Sequence, residues 1–379
     1  VSGFAAELAS TDRAALLEAI ASASAADAER AIAGADGDAT LAAAAILPLV
    51  SPAGAALLEP MARRARGITL RRFGRTVSLY APLYVSNHCA NACVYCGFNA
   101  GNDVVRRALT PDEVLAEAQL LRDRHISQLL LVTGESPRHA DAAALCRMAR
   151  ALKPLFPSLA VEVYPMETDE YRALAGAGVD GLAVYQETYD RGTYAAVHPS
   201  GPKRDFDRRL AAPERGGRAG FRQLGIGALL GLDDWRLEAY WLARHAQYLM
   251  KRCWTSRVSV SFPRLRPAAG GFQPPRPVSD RELAQMICAL RLVLPDAGLV
   301  LSTRESPQFR DNMVGIGVTR ISAGSRTAPG GYCDGQGGAG GQFAVCDERP
   351  VSEVAAAIRA RGYDPVWKDW DAGFETGTA

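Results

Sequence analysis

The segment SNHCANACVYCGFN sets Cys89, Cys93 and Cys96 at i, i+4 and i+7, directly after an apolar run that reads as a strand. Three thiolates on one short loop can wrap one face of a [4Fe-4S] cubane, holding three irons and leaving the fourth without a protein ligand. An iron left open in this way is a reaction site. Zinc is the rival metal, since thiolates suit it as well, but a structural zinc needs a fourth Cys or His, which the adjacent His88 would have to supply.

Further polar residues fall at the ends of successive apolar runs: Thr133, Gly134 and Glu135; Glu162 and Tyr164; Gln186 and Glu187; Arg264; Arg304 and Glu305; Ser322, Ser325 and Arg326. In a parallel barrel, the carboxyl ends of the strands share one mouth, and active sites are built there. Singly, each charged residue reads equally well as a salt-bridged rim group. Placed together around a three-cysteine loop, they read as a site. Gly134 lets backbone approach a ligand, and Glu135 beside it suits an ammonium group. Arg304 or Arg326 suits bidentate pairing with a carboxylate, and Glu162 suits ribose hydroxyls. Tyr95 and Phe98 flank the last cysteine and either cover a cluster and a stacked heterocycle or fill the core.

The elements that must position these groups follow from periodicity. Residues 1–75 are rich in Ala, Leu, Glu and Arg at helical spacing and predict a helical extension. Its end carries Arg63, Arg64, Arg66, Arg71, Arg72 and Arg75, a solvated helix face or a dock for an anionic partner. Eight β-rich runs then alternate with helical stretches: VSLYAPLYVS, QLLLVTGE, LAVEVYP, GLAVYQET, LGIGALLGL, RVSVSFPRL, GLVLSTRES and VTRISAGSR. The alternation predicts a (β/α)8 barrel over 76–328, of the α/β TIM type. Thr110 with Glu113 and Ser279 with Glu282 read as capping boxes, and Pro111 occupies the first helical position. Residues 329–379 form a C-terminal extension. The stretch TAPGGYCDGQGGAGGQF predicts a mobile loop, not a phosphate loop, because no GK[ST] follows. The two tryptophans of DPVWKDWDAGF are expected to tie the end of the chain down.

Bulk properties exclude several classes. The 379 residues are 48% hydrophobic and 22% charged, ordinary for a globular protein with a sizeable core. Lys plus Arg (43) nearly balances Asp plus Glu (41), so no global field favours nucleic acid or an anionic membrane. No signal peptide or 18-residue apolar span is evident, which points to the cytoplasm. Eight unevenly spaced cysteines do not make a secreted disulfide scaffold. Cys146, Cys253 and Cys288 read as core residues.

At CANACVYCGFN the chain resembles the radical S-adenosylmethionine superfamily. With LVTGE, VYQETY, SVSFPRLRP, LSTRESPQFRD and PVWKDWD, it resembles the thiamine-pathway tyrosine lyases in particular. The likeness runs from RRFGRTVSLYAPLYVSN to WKDWD. It implies a [4Fe-4S] cluster on Cys89, Cys93 and Cys96, with S-adenosylmethionine bound at the open iron. Cofactor contacts would come from Tyr95, Phe98, Gly134, Glu135 and Glu162, and contacts to the substrate carboxylate from Arg304 with Ser322 or Ser325. The implied reaction cleaves the Cα–Cβ bond of L-tyrosine to 2-iminoacetate (dehydroglycine) and p-cresol, forming methionine and 5′-deoxyadenosine. Thiazole synthase is the implied protein partner, beside an unidentified one-electron donor.

Two alternatives remain open at this point, and a third is discounted. A related lyase would act on tryptophan or another aromatic amino acid. A non-catalytic cluster or zinc protein would dock partners through the arginine-rich helix. The [FeFe]-hydrogenase maturation tyrosine lyase shares the barrel, but its further cysteine cluster is expected to be absent here, where Cys333 and Cys346 are the late cysteines.

Overall fold

Apolar residues of the first strand alternate between two cores, as the period of two in a strand requires. Leu79, Ala81, Leu83 and Val85 pack outward with the helices. Tyr80 and Tyr84 point inward, with Leu130, Val132, Ala160 and Val300 from neighbouring strands. The structure is a computed structural model that describes residues 3–334 and 340–368.

Eight parallel strands pair in chain order: β1 (Thr76–Ser86), β2 (Gln128–Thr133), β3 (Ser158–Glu162), β4 (Gly181–Ala183), β5 (Gln223–Gly227), β6 (Arg257–Ser261), β7 (Gly298–Leu301) and β8 (Arg320–Ser322). β1 pairs with both β2 and β8, so the sheet closes on itself and the fold is the (β/α)8 barrel read from the sequence. The β1–β2 register shifts between Tyr84 and Ser86, immediately before the cysteine loop. A bulge there turns the chain across the barrel mouth. Both capping boxes form. Thr110 Oγ1 accepts from the Glu113 amide at 3.3 Å and Glu113 accepts from the Thr110 amide at 2.7 Å, with the same exchange between Ser279 and Glu282.

A ninth strand, β9 (Asp364–Val366), extends the sheet beside Thr76–Ser78. The sequence reading missed it, since Pro365 argues against a strand. As an edge strand it needs few ladder bonds, and proline is tolerated there. Trp367 packs on the outer core and faces His125 at 6.4 Å, while Trp370 lies outside the described residues.

Helices between Phe4 and Phe73 form the extension. Three of its arginines differ from both readings of that helix. Arg64 donates to the carbonyls of Ile32 and Ala33, Arg71 to Asp36, and Arg72 to Gly37, where the helix Ala25–Gly34 ends. Arg64 satisfies carbonyls left free in the last turn of that helix, and Arg71 and Arg72 hold the turn that follows it. Cys146, Cys253 and Cys288 are buried. No described helix is long and apolar enough to cross a membrane.

Candidate active site

The cysteine loop is held from several sides by backbone and amide bonds. Arg106 donates to the carbonyls of Asn87, Phe98 and Asn99, closing the loop across its base. Asn99 Nδ2 donates to the Cys93 carbonyl at 3.0 Å and Asn102 Nδ2 to the Cys96 carbonyl at 3.1 Å. The Ala90 amide donates to the Glu135 carbonyl at 2.9 Å. Gly134 serves this approach: a Cβ there would lie 2.4 Å from the His88 carbonyl oxygen. The glycine therefore makes room for the cysteine loop, where the sequence reading had it making room for a ligand.

Burial pushes the Cys96 thiol up to about 12, with Cys93 adding to the effect. Burial raises Cys93 too, while the nearby Lys203 opposes it. Metal binding must therefore displace protons from these thiols. His88 does not complete a zinc site: its ring stacks on His139 with centroids 3.6 Å apart and planes 4° from parallel. Among the described residues no three His, Cys, Asp or Glu side chains converge closely enough to share one metal ion. Three thiolates that each bind a different iron of a cubane need no such convergence. The donor set thus fits a cluster better than a single ion.

Beside the loop, a cavity partly open to solvent fills the barrel mouth. Its lining gathers Tyr95, Cys96, Glu162, Arg304, Ser322 and Ser325, all picked out by the sequence. Two other picked residues stand elsewhere. Glu135 lines an adjoining cavity that shares Lys203 with the first, and it accepts from Asn91 Nδ2 at 2.7 Å. Phe98 is buried and meets Tyr84 edge-on at 5.8 Å, with Cys89 and Cys96 packed against their cluster. Arg326 lines a groove on another side of the loop after β8, so of the two arginines considered only Arg304 faces the cavity. Arg264 pairs with Glu305 and with Asp280, and Arg266 joins them on Glu305, a rim cluster as the structural reading had it.

Electrostatics inside the cavity are uneven. Burial pushes the Glu162 carboxyl up to about 7, with Glu187 adding to it. Burial also acts on Glu187, but Lys203 at 2.7 Å and Arg209 at 3.6 Å outweigh it and leave Glu187 below the usual carboxylate range. Glu187 itself has φ +71, an uncommon conformation for a residue with a side chain. Burial lowers Arg304, whose guanidinium has no carboxylate partner among the described residues and lies face-on to the Phe343 ring, 3.3 Å from its centroid. Ser322 Oγ accepts from the Thr303 amide at 3.0 Å, whereas Ser325 Oγ is buried without a partner among the described residues.

Lys203 and Arg209 were missed because they lie on short helices between β4 and β5, away from any strand end. Gln342 and Phe343 were missed because the Gly-rich stretch reads as a free loop. Its described parts are packed instead. Tyr332 is buried, its hydroxyl donates to Pro82 at 2.7 Å, and the amides of Tyr332 and Cys333 donate to buried Glu117. Residues 335–339 of that stretch lie outside the described residues.

Residues 83–240 match the Radical SAM superfamily, and residues 261–364 match the Biotin and Thiamin Synthesis associated domain. Over 328 residues, the chain is 47% identical to the 2-iminoacetate synthase of Escherichia coli (strain K12), covering 86% of this chain and 87% of that one. The chain belongs to the 2-iminoacetate synthase family. The Salmonella typhimurium 2-iminoacetate synthase is 45% identical over the same shares. Among solved structures, HydG, described as a maturase of the [FeFe]-hydrogenase, superposes with a TM-score of 0.90 at 32% identity, covering 96% of this chain and 81% of that one. As a radical SAM enzyme of the 2-iminoacetate synthase family, the chain uses a [4Fe-4S] cluster and S-adenosylmethionine.

Proposed function

We infer that this protein is a carbon–carbon lyase that cleaves the Cα–Cβ bond of L-tyrosine, giving 2-iminoacetate and p-cresol for thiazole assembly in thiamine biosynthesis. The 47% identity to a 2-iminoacetate synthase across most of the chain carries this reading. When bound, the cluster and S-adenosylmethionine would supply the radical chemistry that activates the substrate. Cys89, Cys93 and Cys96 would hold the cluster. Glu135 and Glu162 would accept from the cofactor's ammonium and ribose, with Gly134, Tyr95 and Phe98 shaping its surroundings.

The substrate carboxylate would sit between Arg304 and Ser325. Arg304 is a half-buried cation with no carboxylate partner among the described residues, and a bidentate carboxylate is the ligand its planar donors fit. Ser325 Oγ, buried and unpaired, gains a partner when that carboxylate arrives. Ser322 would act in support, since its hydroxyl already binds the Thr303 amide. The apolar wall of Leu130, Val132, Leu229 and Val300 keeps water from the reacting carbon.

The product imine hydrolyses in water, so a thiazole synthase that receives it is the expected partner, alongside a one-electron donor. The deciding experiment reconstitutes the cluster without oxygen and supplies S-adenosylmethionine, reductant and either L-tyrosine or L-tryptophan. Tyrosine-dependent p-cresol together with 5′-deoxyadenosine is expected. 5′-Deoxyadenosine without p-cresol would overturn the substrate, and an intact cluster giving neither would overturn the activity.

A further inference from the structure

Arg304 and the cysteine loop are joined by two residues of the Gly-rich segment. Phe343 lies under the Arg304 guanidinium, 3.3 Å from cation to ring centroid. Next to it, the Gln342 carbonyl accepts from the Gly97 amide at 3.0 Å, one residue beyond the ligand Cys96. Gln342 Oε1 accepts from the Tyr84 hydroxyl at 2.8 Å. On the other side, the Gln342 amide donates to the Thr327 carbonyl at 2.9 Å, and Thr327 Oγ1 donates to the Phe343 carbonyl at 3.0 Å. Two residues are thus clamped between the cysteine loop and the loop that carries Ser325. Gly97 permits the clamp, because a Cβ there would lie 2.3 Å from the Gly341 carbonyl oxygen.

A guanidinium carries all its N–H donors in its own plane. Stacked face-on against a ring, it keeps every donor at its edge free, while the ring's electron-rich face offsets part of the cost of burying the charge. The ring therefore fixes the plane in which those donors point. Among the described residues Arg304 has no carboxylate partner to fix that plane otherwise, and both residues line the same cavity.

We propose that Phe343 is a positioning residue for substrate binding: it sets the plane of the Arg304 guanidinium so that its edge meets an amino-acid carboxylate, and Gln342 fixes Phe343 to the cysteine loop. This rests on the reading of Arg304 as the carboxylate contact. Binding then depends on an aromatic face at position 343 and not merely on apolar bulk. Phe343→Leu keeps the bulk and removes the face, whereas Phe343→Tyr keeps both.

The test uses the cluster-loaded enzyme and measures p-cresol release against L-tyrosine concentration for wild type, Phe343→Leu and Phe343→Tyr. Iron content and the reduced-cluster electron paramagnetic resonance spectrum are recorded for each. The expected result is a KM for tyrosine raised about tenfold in Phe343→Leu, the scale of a partly desolvated cation–π contact, with a kcat within about twofold. Phe343→Tyr restores KM, and iron content and spectrum stay constant across the set. An unchanged KM in Phe343→Leu overturns the positioning role alone. So does a loss of kcat accompanied by loss of iron, which would make Phe343 a packing residue. Wild type that releases no p-cresol from tyrosine overturns the substrate reading, and with it the ligand assigned to Arg304.

Discussion

Ser322 ends β8 and Ser325 lies three positions further on in the loop; both face one cavity, yet their hydroxyls are in different states. Ser322 Oγ already accepts from the Thr303 amide, and Ser325 Oγ has no partner among the described residues. Removing Ser325 Oγ should cost the fold nothing and cost substrate binding one hydrogen bond, about 1 kcal/mol. Ser325→Ala is therefore expected to raise KM for tyrosine about fivefold at an unchanged melting temperature. Ser322→Ala should lower the melting temperature, because a buried amide loses its acceptor. A melting temperature lowered equally by both changes would contradict the distinction.

Glu162 yields a pH prediction at the same scale. Burial, with Glu187 behind it, sets its carboxyl at about 7, above the ordinary value of 4.5. Only the ionised form accepts through both oxygens. If Glu162 holds two ribose hydroxyls, affinity for S-adenosylmethionine should weaken about tenfold for each pH unit below 7, and Glu162→Gln should flatten that dependence. Titrations at pH 6, 7 and 8 would show it, and a variant that keeps the wild-type slope would assign the titration to another group. The sequence revealed Glu162, Arg304 and the serines because strand ends share a mouth. It concealed Lys203, Arg209 and Phe343 because nothing in their local spacing says which loop folds inward.

Elements were legible where a local rule fixes them. Both capping boxes formed where Thr110 and Ser279 begin helices, and the eight strands follow the eight apolar, β-branched runs. Legibility failed where tertiary partners override composition. Seven glycines between Thr327 and Phe343 suggest a loose segment, but Glu117, buried on the helix Pro111–Asp123, takes up the amides of Tyr332 and Cys333. A carboxylate acceptor suits two converging N–H donors. An amide in its place offers one acceptor and turns an NH2 group toward the other donor. Glu117→Gln is thus expected to cost about 2–3 kcal/mol of stability, the range for a charged hydrogen bond lost in a buried setting. Limited proteolysis should then cut faster within residues 327–334. Unchanged cleavage would mean that the Tyr332–Pro82 bond and the Arg107–Asp334 pair hold the segment without Glu117.

Across the whole molecule, a line of contacts runs from the outer helices to the cavity. Arg13 pairs with Asp190 and Asp233, and Phe4 stacks on His245 at 4.4 Å. His245 and Glu238 share the helix Trp235–Arg252. Glu238 is buried and takes the Thr188 hydroxyl at 2.5 Å and the Tyr189 amide, the two residues after left-handed Glu187. The extension thereby braces a strained backbone whose carboxylate enters the cavity. Burial, with Asp233 adding to it and the bonds from Thr188 and Tyr189 opposing, pushes the Glu238 carboxyl up to about 8 from the ordinary 4.5. A folded pKa above the unfolded one favours the protonated fold. Its contribution is complete below pH 4.5 and is lost as pH rises through 8, at up to about 1.4 kcal/mol per pH unit. Glu238→Gln keeps an acceptor and cannot ionise, so it should match wild type near pH 5 and exceed it in stability at pH 8. Denaturant unfolding of both proteins at the two pH values measures the difference. Equal stabilities at pH 8 would show that Thr188 and Tyr189 hold Glu238 ionised at little cost, and that the brace on Glu187 does not depend on its proton.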